Sequence, residues 1–234
     1  MKKIAVMQPT YLPWYGYFGL IDYVDEFIFL NNVQFEKRSW QSRNFIKSNE
    51  KKLMLSIGVS SKGKFFQNLD QVLILEELKN KKKHLKAIEL NYKKTKYFNE
   101  YFPLLSNIYD HEYKYLKDLN IAIINLVCGL LNIKTKITHS NNLKLNFDSK
   151  VDRLVEICKY LNAKSYISPE GSKNYLNDTK LFETNKIDLR YFNMKNFTYN
   201  QNGGDFISNL SVIDLIFNEG PKALKIIRKN ITIF

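Results

Sequence analysis

Arginine, cysteine and histidine are all scarce in this chain, and each scarcity closes off a class of function. Only five of its 36 basic residues are arginine. The two cysteines, Cys128 and Cys158, have neither metal-ligand spacing nor a disulfide framework. Both fall on apolar faces of predicted helices, where a thiol is an inert core group. The three histidines, His84, His111 and His139, form no metal pair and no Ser-His-Asp spacing. Walker-type and dinucleotide glycine patterns are absent as well. No apolar run approaches the roughly 18–20 residues that a membrane-spanning helix needs. The apolar run near the N-terminus is too short for a signal peptide. The expectation is a cytoplasmic protein without a membrane span, a bound metal or a tightly bound cofactor. There is no internal repeat, no low-complexity linker and no second composition regime, so 1–234 reads as one domain.

What the chain does have is a globular balance, with 44% hydrophobic and 25% charged residues. Its formal charge of +13 invites a nucleic-acid reading. The distribution of that charge argues otherwise. The excess is mostly lysine, accompanied by many Asn, Ile, Phe and Tyr, as a bias toward AT-rich codons produces. Nucleic-acid sites need clustered basic residues with base-stacking aromatics or a known module, and none is visible. Two of the five arginines, Arg38 and Arg43, nonetheless sit within six residues of each other. Arginine is preferred where planar, bidentate recognition of phosphate or carboxylate is needed. In a lysine-biased chain that pair is informative.

The hydrophobic pattern predicts a β-loop-α-β opening. Lys3–Met7 is a buried strand, a helix runs from about Trp14 to Tyr23, and Phe27–Leu30 is the second strand. Pro13 suits the first turn of that helix. Gly16 and Gly19 within it point to a close approach by another backbone or a ligand. Phe45–Lys47 and Leu53–Val59 flank Ser48–Asn49–Glu50 as a hairpin, and 67–74 reads as a weak strand. A lysine-rich helix is expected from Glu76 to about Tyr97, and a second from about Glu112 to Leu131. Alternating units follow: strand Ile133–Ile137, helix Val151–Leu161 capped by Ser149 with Asp152, strand Ser165–Ile167, helix Thr179–Thr184 after an Asp178 cap, and strand Ile187–Tyr191. A last helix over Ser211–Phe217 stops at Gly220–Pro221. Such alternation predicts a three-layer α/β fold with a mostly parallel sheet, a Rossmann-like opening and a helical segment around 76–131.

In open parallel sheets, ligands bind beyond the carboxyl ends of the strands. That edge would gather Gln8, Thr10, Tyr11 and Trp14 from the first loop. The second loop adds Asn31, Asn32, Gln34, Arg38, Trp40, Gln41, Arg43 and Asn44, and the loop after Ile167 adds Ser168, Glu170, Gly171 and Ser172. The N-terminus of the first helix would point a positive dipole end at the same edge, which suits phosphate. His84, on the lysine-rich helix, is the candidate general base.

These residues carry a resemblance. Gln8-Pro-Thr-Tyr-Leu-Pro-Trp14, Gly16-Tyr-Phe18, Asn31-Asn-Val-Gln-Phe35 and Arg38-Ser-Trp-Gln-Ser-Arg-Asn44 resemble the WbqC-like family of bacteria. Lys83-His84, Asn91-Tyr92 to Tyr97-Phe98, Tyr166-Ile-Ser-Pro-Glu-Gly171, and Phe206 to Gly220 with Asn209-Leu-Ser211 and Asp214 extend the likeness over essentially the whole chain. Relatives commonly carry acidic residues where this chain has Asn31 and Asn32. A metal held by such residues in relatives should bind poorly here.

Genes of that family often lie in clusters for surface polysaccharides such as O-antigen. The resemblance therefore implies an enzyme of nucleotide-sugar modification. The leading expectation is an acyltransferase moving an acyl or aminoacyl group, from a thioester or other activated donor, onto the amine of a nucleotide-linked amino sugar. Arg38, Arg43 and Lys47 would hold phosphate, Trp14 and Trp40 would form apolar walls, and Gln8, Gln34 or Asn44 would orient polar groups. His84 would deprotonate the sugar amine, near Gln8 and Tyr11. Thr10, Asn32, Ser168 and Gly171 complete the expected binding set. The basic helix Lys79–Lys96 would dock an acidic partner such as an acyl carrier protein. Two alternatives stay open. One is a nucleotidyltransferase that adenylates a carboxylate, although the paired histidines normal to that turn are missing. The other is a non-catalytic module that binds a nucleotide sugar.

Overall fold

The computed structural model describes residues 1–75, 78–145, 149–177 and 179–234, with the backbone alone described at 78–80. A six-stranded sheet is built from β1 (Lys3–Met7), β2 (Glu26–Phe29), β5 (Lys136–His139), β6 (Ser165–Pro169), β7 (Asp188–Met194) and β8 (Ile231–Ile233), in the order β5-β2-β1-β6-β7-β8. All pairs are parallel except β7–β8. A separate antiparallel hairpin joins β3 (Arg43–Ser48) to β4 (Lys51–Ser56). Asn49 turns it at φ +53°, a left-handed conformation that asparagine tolerates.

The sheet is buried on both faces, as parallel sheets are. Period-two alternation divides its side chains between two cores. Ala5, Phe27, Phe29, Ile167 and Phe192 face one core. Against them pack α1 (Tyr15–Tyr23), α2 (Leu78–Tyr92), α3 (Phe98–Asp110), α4 (Leu116–Leu130), α8 (Val212–Glu219) and α9 (Ala223–Lys229). Ile4, Val6, Ile28, Tyr166 and Tyr191 face the other core. It is closed by α5 (Lys150–Tyr160), α6 (Lys173–Leu176) and α7 (Leu181–Thr184). The three-layer, mostly parallel α/β architecture is as the alternation predicts. Cys128 and Cys158 are buried one in each core, and burial pushes both thiols up to about 12.

Several elements differ from the pattern reading. Residues 67–74 form no strand. They make a single 3-10 turn at Leu69–Gln71, and isolated bridges tie the segment to Gln34, Val59 and Tyr115. The lysine-rich helix ends at Tyr92 rather than Tyr97, and α3 follows as an element that periodicity did not separate. The next helix starts at Leu116, because 114 and 115 are used as extended backbone against Leu73 and Ile74. The fifth strand lies later than Ile133–Ile137, over Lys136–His139. Ser149 does cap α5, accepting from the Asp152 backbone N–H at 3.1 Å. The proposed start at Glu76 and the Asp178 cap lie outside the described residues.

Strand β1 sits where the chain reverses direction across the sheet. It is followed by β2 on one side, while β6 arrives on its other side after α5 has crossed to the opposite face. The loops leaving β1 and β6 therefore diverge, and a crevice opens between their carboxyl ends.

Candidate functional site

The crevice between β1 and β6 is a lobe of about 320 Å³. Its polar lining comes from Gln8 and Thr10 after β1, Ser168 and Ser172 around the end of β6, and Glu36, Ser39 and Gln41 from the second loop. Beyond it lies a second lobe of about 440 Å³ with aromatic walls: Trp14, Tyr17, Trp40 and Phe45, with Asn44, Lys52 and Asn209. The two lobes share Met7, Thr10 and Trp40. Together they form one cleft with apolar surface throughout, richer in polar groups in the first lobe and walled by aromatic rings in the second.

Local structure explains how each wall is held. Gly16 has no side chain because the Trp14 ring occupies that space. A Cβ there would lie 2.4 Å from the ring. Gly19 makes way for Ile227 of α9 and Phe192 of β7, so neither glycine admits a ligand. Leu12 adopts φ +44°, costly for a side chain of its size. Asn44 Nδ2 fixes that kink by donating to the Leu12 carbonyl at 2.6 Å. The C-terminal segment closes the aromatic lobe, as Ser211 donates its N–H to Phe45 O and Val212 to Pro13 O, both at 2.8 Å. Asn120 of α4, fully buried, donates to both Pro9 O (3.1 Å) and Gln41 O (2.8 Å). It fastens the two cleft loops to one helix.

Hydrogen-bond logic fixes the direction of the amides in the polar lobe. The Glu36 backbone N–H can only donate, so Gln41 must present its oxygen to it, at 3.0 Å. Gln41 Nε2 then faces Gln8 Oε1 at 2.5 Å. That leaves the Gln8 NH₂ group, which no described residue engages, as a donor in the lobe. The two serines are ordered by the same reasoning. Ser172 gives its proton to Pro169 O (2.6 Å), so Ser168 donates to Ser172 Oγ (2.6 Å). Both hydroxyl protons are spent, and no described base touches either serine.

Structure brings His84 and Tyr11 together, but away from both lobes. Each is buried, His84 at 7% exposure and Tyr11 at 0%. The Tyr11 hydroxyl lies 2.8 Å from His84 Nδ1 and also bonds the Tyr109 hydroxyl. The direction of the Tyr11–His84 bond follows the imidazole tautomer. Burial lowers the imidazole pKa to about 4, partly opposed by the Ser56 backbone. Desolvation, rather than the neighbouring lysines of α2, is the cause of that depression.

Of the other expected site residues, Gln8, Thr10, Trp14, Trp40, Asn44 and Ser168 line the cleft. Arg38, exposed at φ +59°, and Arg43, half-buried on β3, line neither lobe. Lys47 is 3% exposed, and its ammonium is committed to Gln201 Oε1 (3.0 Å) and Asp205 O (2.7 Å). It belongs to a buried polar network with Asp214, which accepts from Tyr92, Tyr199 and Gln201. Asn32 accepts from Ser140 at 2.7 Å, and Asn31 reaches His139, so these amides knit β2 to β5. Gln34 donates to Phe65 O, and Gly171 lies exposed in the turn after β6. Asn209, part of the family resemblance, also lines the cleft, and Glu36, Phe45, Lys52 and Tyr175 are cleft residues that the sequence reading did not single out.

Two comparisons of sequence find relatives over nearly the whole chain. A family model described as the WbqC-like protein family matches residues 8–226. The chain belongs to the WbqC-like family. It is also 35% identical over 225 residues to the uncharacterized protein Rv1507c of Mycobacterium tuberculosis, covering 95% of this chain and 96% of that one. No solved structure matches. The matched span contains both cleft loops, the hairpin and Asn209.

Proposed function

We propose that this protein is an acyltransferase of bacterial surface-polysaccharide (O-antigen) synthesis, moving an acyl or aminoacyl group onto the amine of a nucleotide-linked amino sugar. The observation that carries the reading is the two-lobed cleft, in which a lobe with several polar side chains meets an aromatic-walled lobe at Thr10 and Trp40. A nucleotide sugar has the same division. Its base stacks between aromatic walls, and its hexose presents hydroxyls and an amine to polar groups. In this assignment Trp14, Trp40 and Phe45 hold the base, and Lys52 meets the diphosphate. Cationic recognition moves from the arginine pair to Lys52 because Lys52 lines the cleft.

In the polar lobe, the Gln8 NH₂ group donates to the oxyanion that forms as the amine attacks a thioester carbonyl. The carbon–nitrogen bond forms, the carbon–sulfur bond breaks, and the thiolate departs. The Glu36 carboxylate, on the same lobe, takes the ammonium proton. His84 stands one step back, hydrogen-bonded to buried Tyr11, and sets the position of the loop rather than touching substrate. The exposed lysines of α2, Lys82, Lys83 and Lys86, give an acidic carrier of the acyl group a surface to meet.

The test is incubation with nucleotide-linked amino sugars and acyl or aminoacyl thioesters, read by mass spectrometry. Product heavier by the acyl group is expected, with Gln8→Leu and Glu36→Gln each slowing turnover about 10²–10³-fold, the usual worth of an oxyanion donor or a base. Saturable sugar-nucleotide binding without turnover of any donor would reduce the protein to a binding module. Turnover only with ATP consumed would make it an adenylating enzyme.

A further inference from the structure

The loop from Ser60 to Gln67 ends in two adjacent phenylalanines turned to solvent, Phe65 at 72% and Phe66 at 89% exposure. Neither contributes to the cores, and the loop's backbone holds them in that position. Phe65 O accepts from Gln34 Nε2 at 2.8 Å, and Gln67 O accepts from the N–H of buried Phe35 at 2.8 Å. The neck is closed by Ser60 N–H to Leu73 O and Leu75 N–H to Gly58 O, both 2.9 Å. At the tip, Gly63 turns at φ +73° with open space around it.

The charges around the pair are of one sign. Lys62 and Lys64 precede it, and Lys37 lies over the Phe65 ring at 4.9 Å from its centroid. No Asp or Glu occurs from residue 51 to residue 69. Glu36 is the neighbouring acid on the facing loop. A protein partner would have to bury two phenyl rings beside three ammonium groups. An anionic bilayer interface takes both together. Rings enter the acyl boundary while lysine stems lie along it and leave their ammonium groups among the headgroups. Anionic headgroups supply the complementary charge.

We infer that the Phe65–Phe66 tip, ringed by Lys37, Lys62 and Lys64, is a peripheral docking point for an anionic lipid bilayer. The inference rests on this tip and the neighbouring Lys37, and stands apart from the reading of the cleft. No helix among the described residues is long and apolar enough to cross a membrane, so attachment through this tip is interfacial.

Co-sedimentation with vesicles tests it, comparing a phosphatidylglycerol–phosphatidylcholine mixture with phosphatidylcholine alone. The protein should partition onto the anionic vesicles and not onto the neutral ones. Phe65→Ser with Phe66→Ser should weaken binding about ten-fold or more per ring, the scale of withdrawing a phenyl from an apolar phase. Lys62→Gln with Lys64→Gln should weaken it about five-fold per lysine. Both pairs lie on an exposed loop, and an unchanged melting temperature would verify folding. Lys82→Gln, Lys83→Gln and Lys86→Gln on α2 serve as the control and should change binding far less. Failure to bind anionic vesicles would overturn the inference. So would wild-type binding by the double Phe variant, or a loss confined to the α2 variant, either of which would make the attraction a property of the general positive charge. Self-association that depends on Phe66, with no vesicle binding, would overturn it in favour of a contact between copies.

Discussion

Gly16 and His84 show how single residues hold the cleft without touching a ligand. Alanine in place of Gly16 would ordinarily add about 1 kcal/mol to a helix. Here its Cβ would meet the Trp14 ring at 2.4 Å, and the ring or the helix must move. Gly16→Ala should therefore lower the melting temperature and shift tryptophan emission as Trp14 leaves its wall. A raised melting temperature with unchanged emission would contradict the packing. His84 makes a second prediction through its pKa of about 4 in the fold. The unfolded imidazole titrates near 6.5. Between those values the unfolded state binds more protons, so stability is full above about pH 6.5 and falls as the pH drops toward 4. The loss at pH 5 should be about 2 kcal/mol. Urea unfolding of the wild type and His84→Gln at pH 7 and pH 5 isolates it, because the variant should lack that part of the pH dependence. Parallel pH dependence in the two proteins would show that the imidazole is not held neutral by burial.

At the scale of elements, Asn120 carries the clearest burden, joining α4 to both cleft loops through two buried carbonyls. Asn120→Ala leaves Pro9 O and Gln41 O without their donor and should cost about 2–6 kcal/mol, the sum of two unsatisfied buried groups. Chemical denaturation measures it, and a loss under about 1 kcal/mol would mean that other donors or water replace the amide. The elements also show what the sequence could reveal. Strands β1, β2, β6 and β7 were legible because buried parallel strands are short apolar runs between loops. The end of α2 at Tyr92 was not, since Lys93, Lys94 and Lys96 are good helix formers. The break is tertiary. Thr95 folds back onto Tyr92 O, and Tyr97 donates its N–H to Phe217 O while its ring crosses Gly220. Gly220, at φ +53°, could be read as a stop, but not as the seat for that ring. The cleft divides in the same way. Gln8, Thr10, Trp14, Trp40 and Ser168 stood out as polar or aromatic residues in loops at one sheet edge. Lys52 and Tyr175 reach the cleft from the hairpin and α6, whose approach no local pattern encodes. The arginine pair was a compositional signal, and it marked the right loop while missing the residues that face inward.

For the whole molecule, the sheet order places β1 at the reversal point, and everything proposed for function follows from the crevice there. If a carrier protein brings the acyl group to the lysines of α2, transfer from it should fall steeply with ionic strength, while transfer from a small thioester should not. Equal salt dependence for the two donors would remove the carrier from the scheme. The cleft itself can be tested before any donor is known, because both tryptophans of the chain line its aromatic lobe. Titration with a nucleotide-linked amino sugar, followed by intrinsic fluorescence, should give a saturable change in the wild type. Thr10→Phe, which fills the junction of the two lobes, should weaken that binding at least ten-fold without altering the melting temperature. Saturable binding with no change in tryptophan emission, or wild-type affinity in Thr10→Phe, would place the ligand elsewhere and contradict the account.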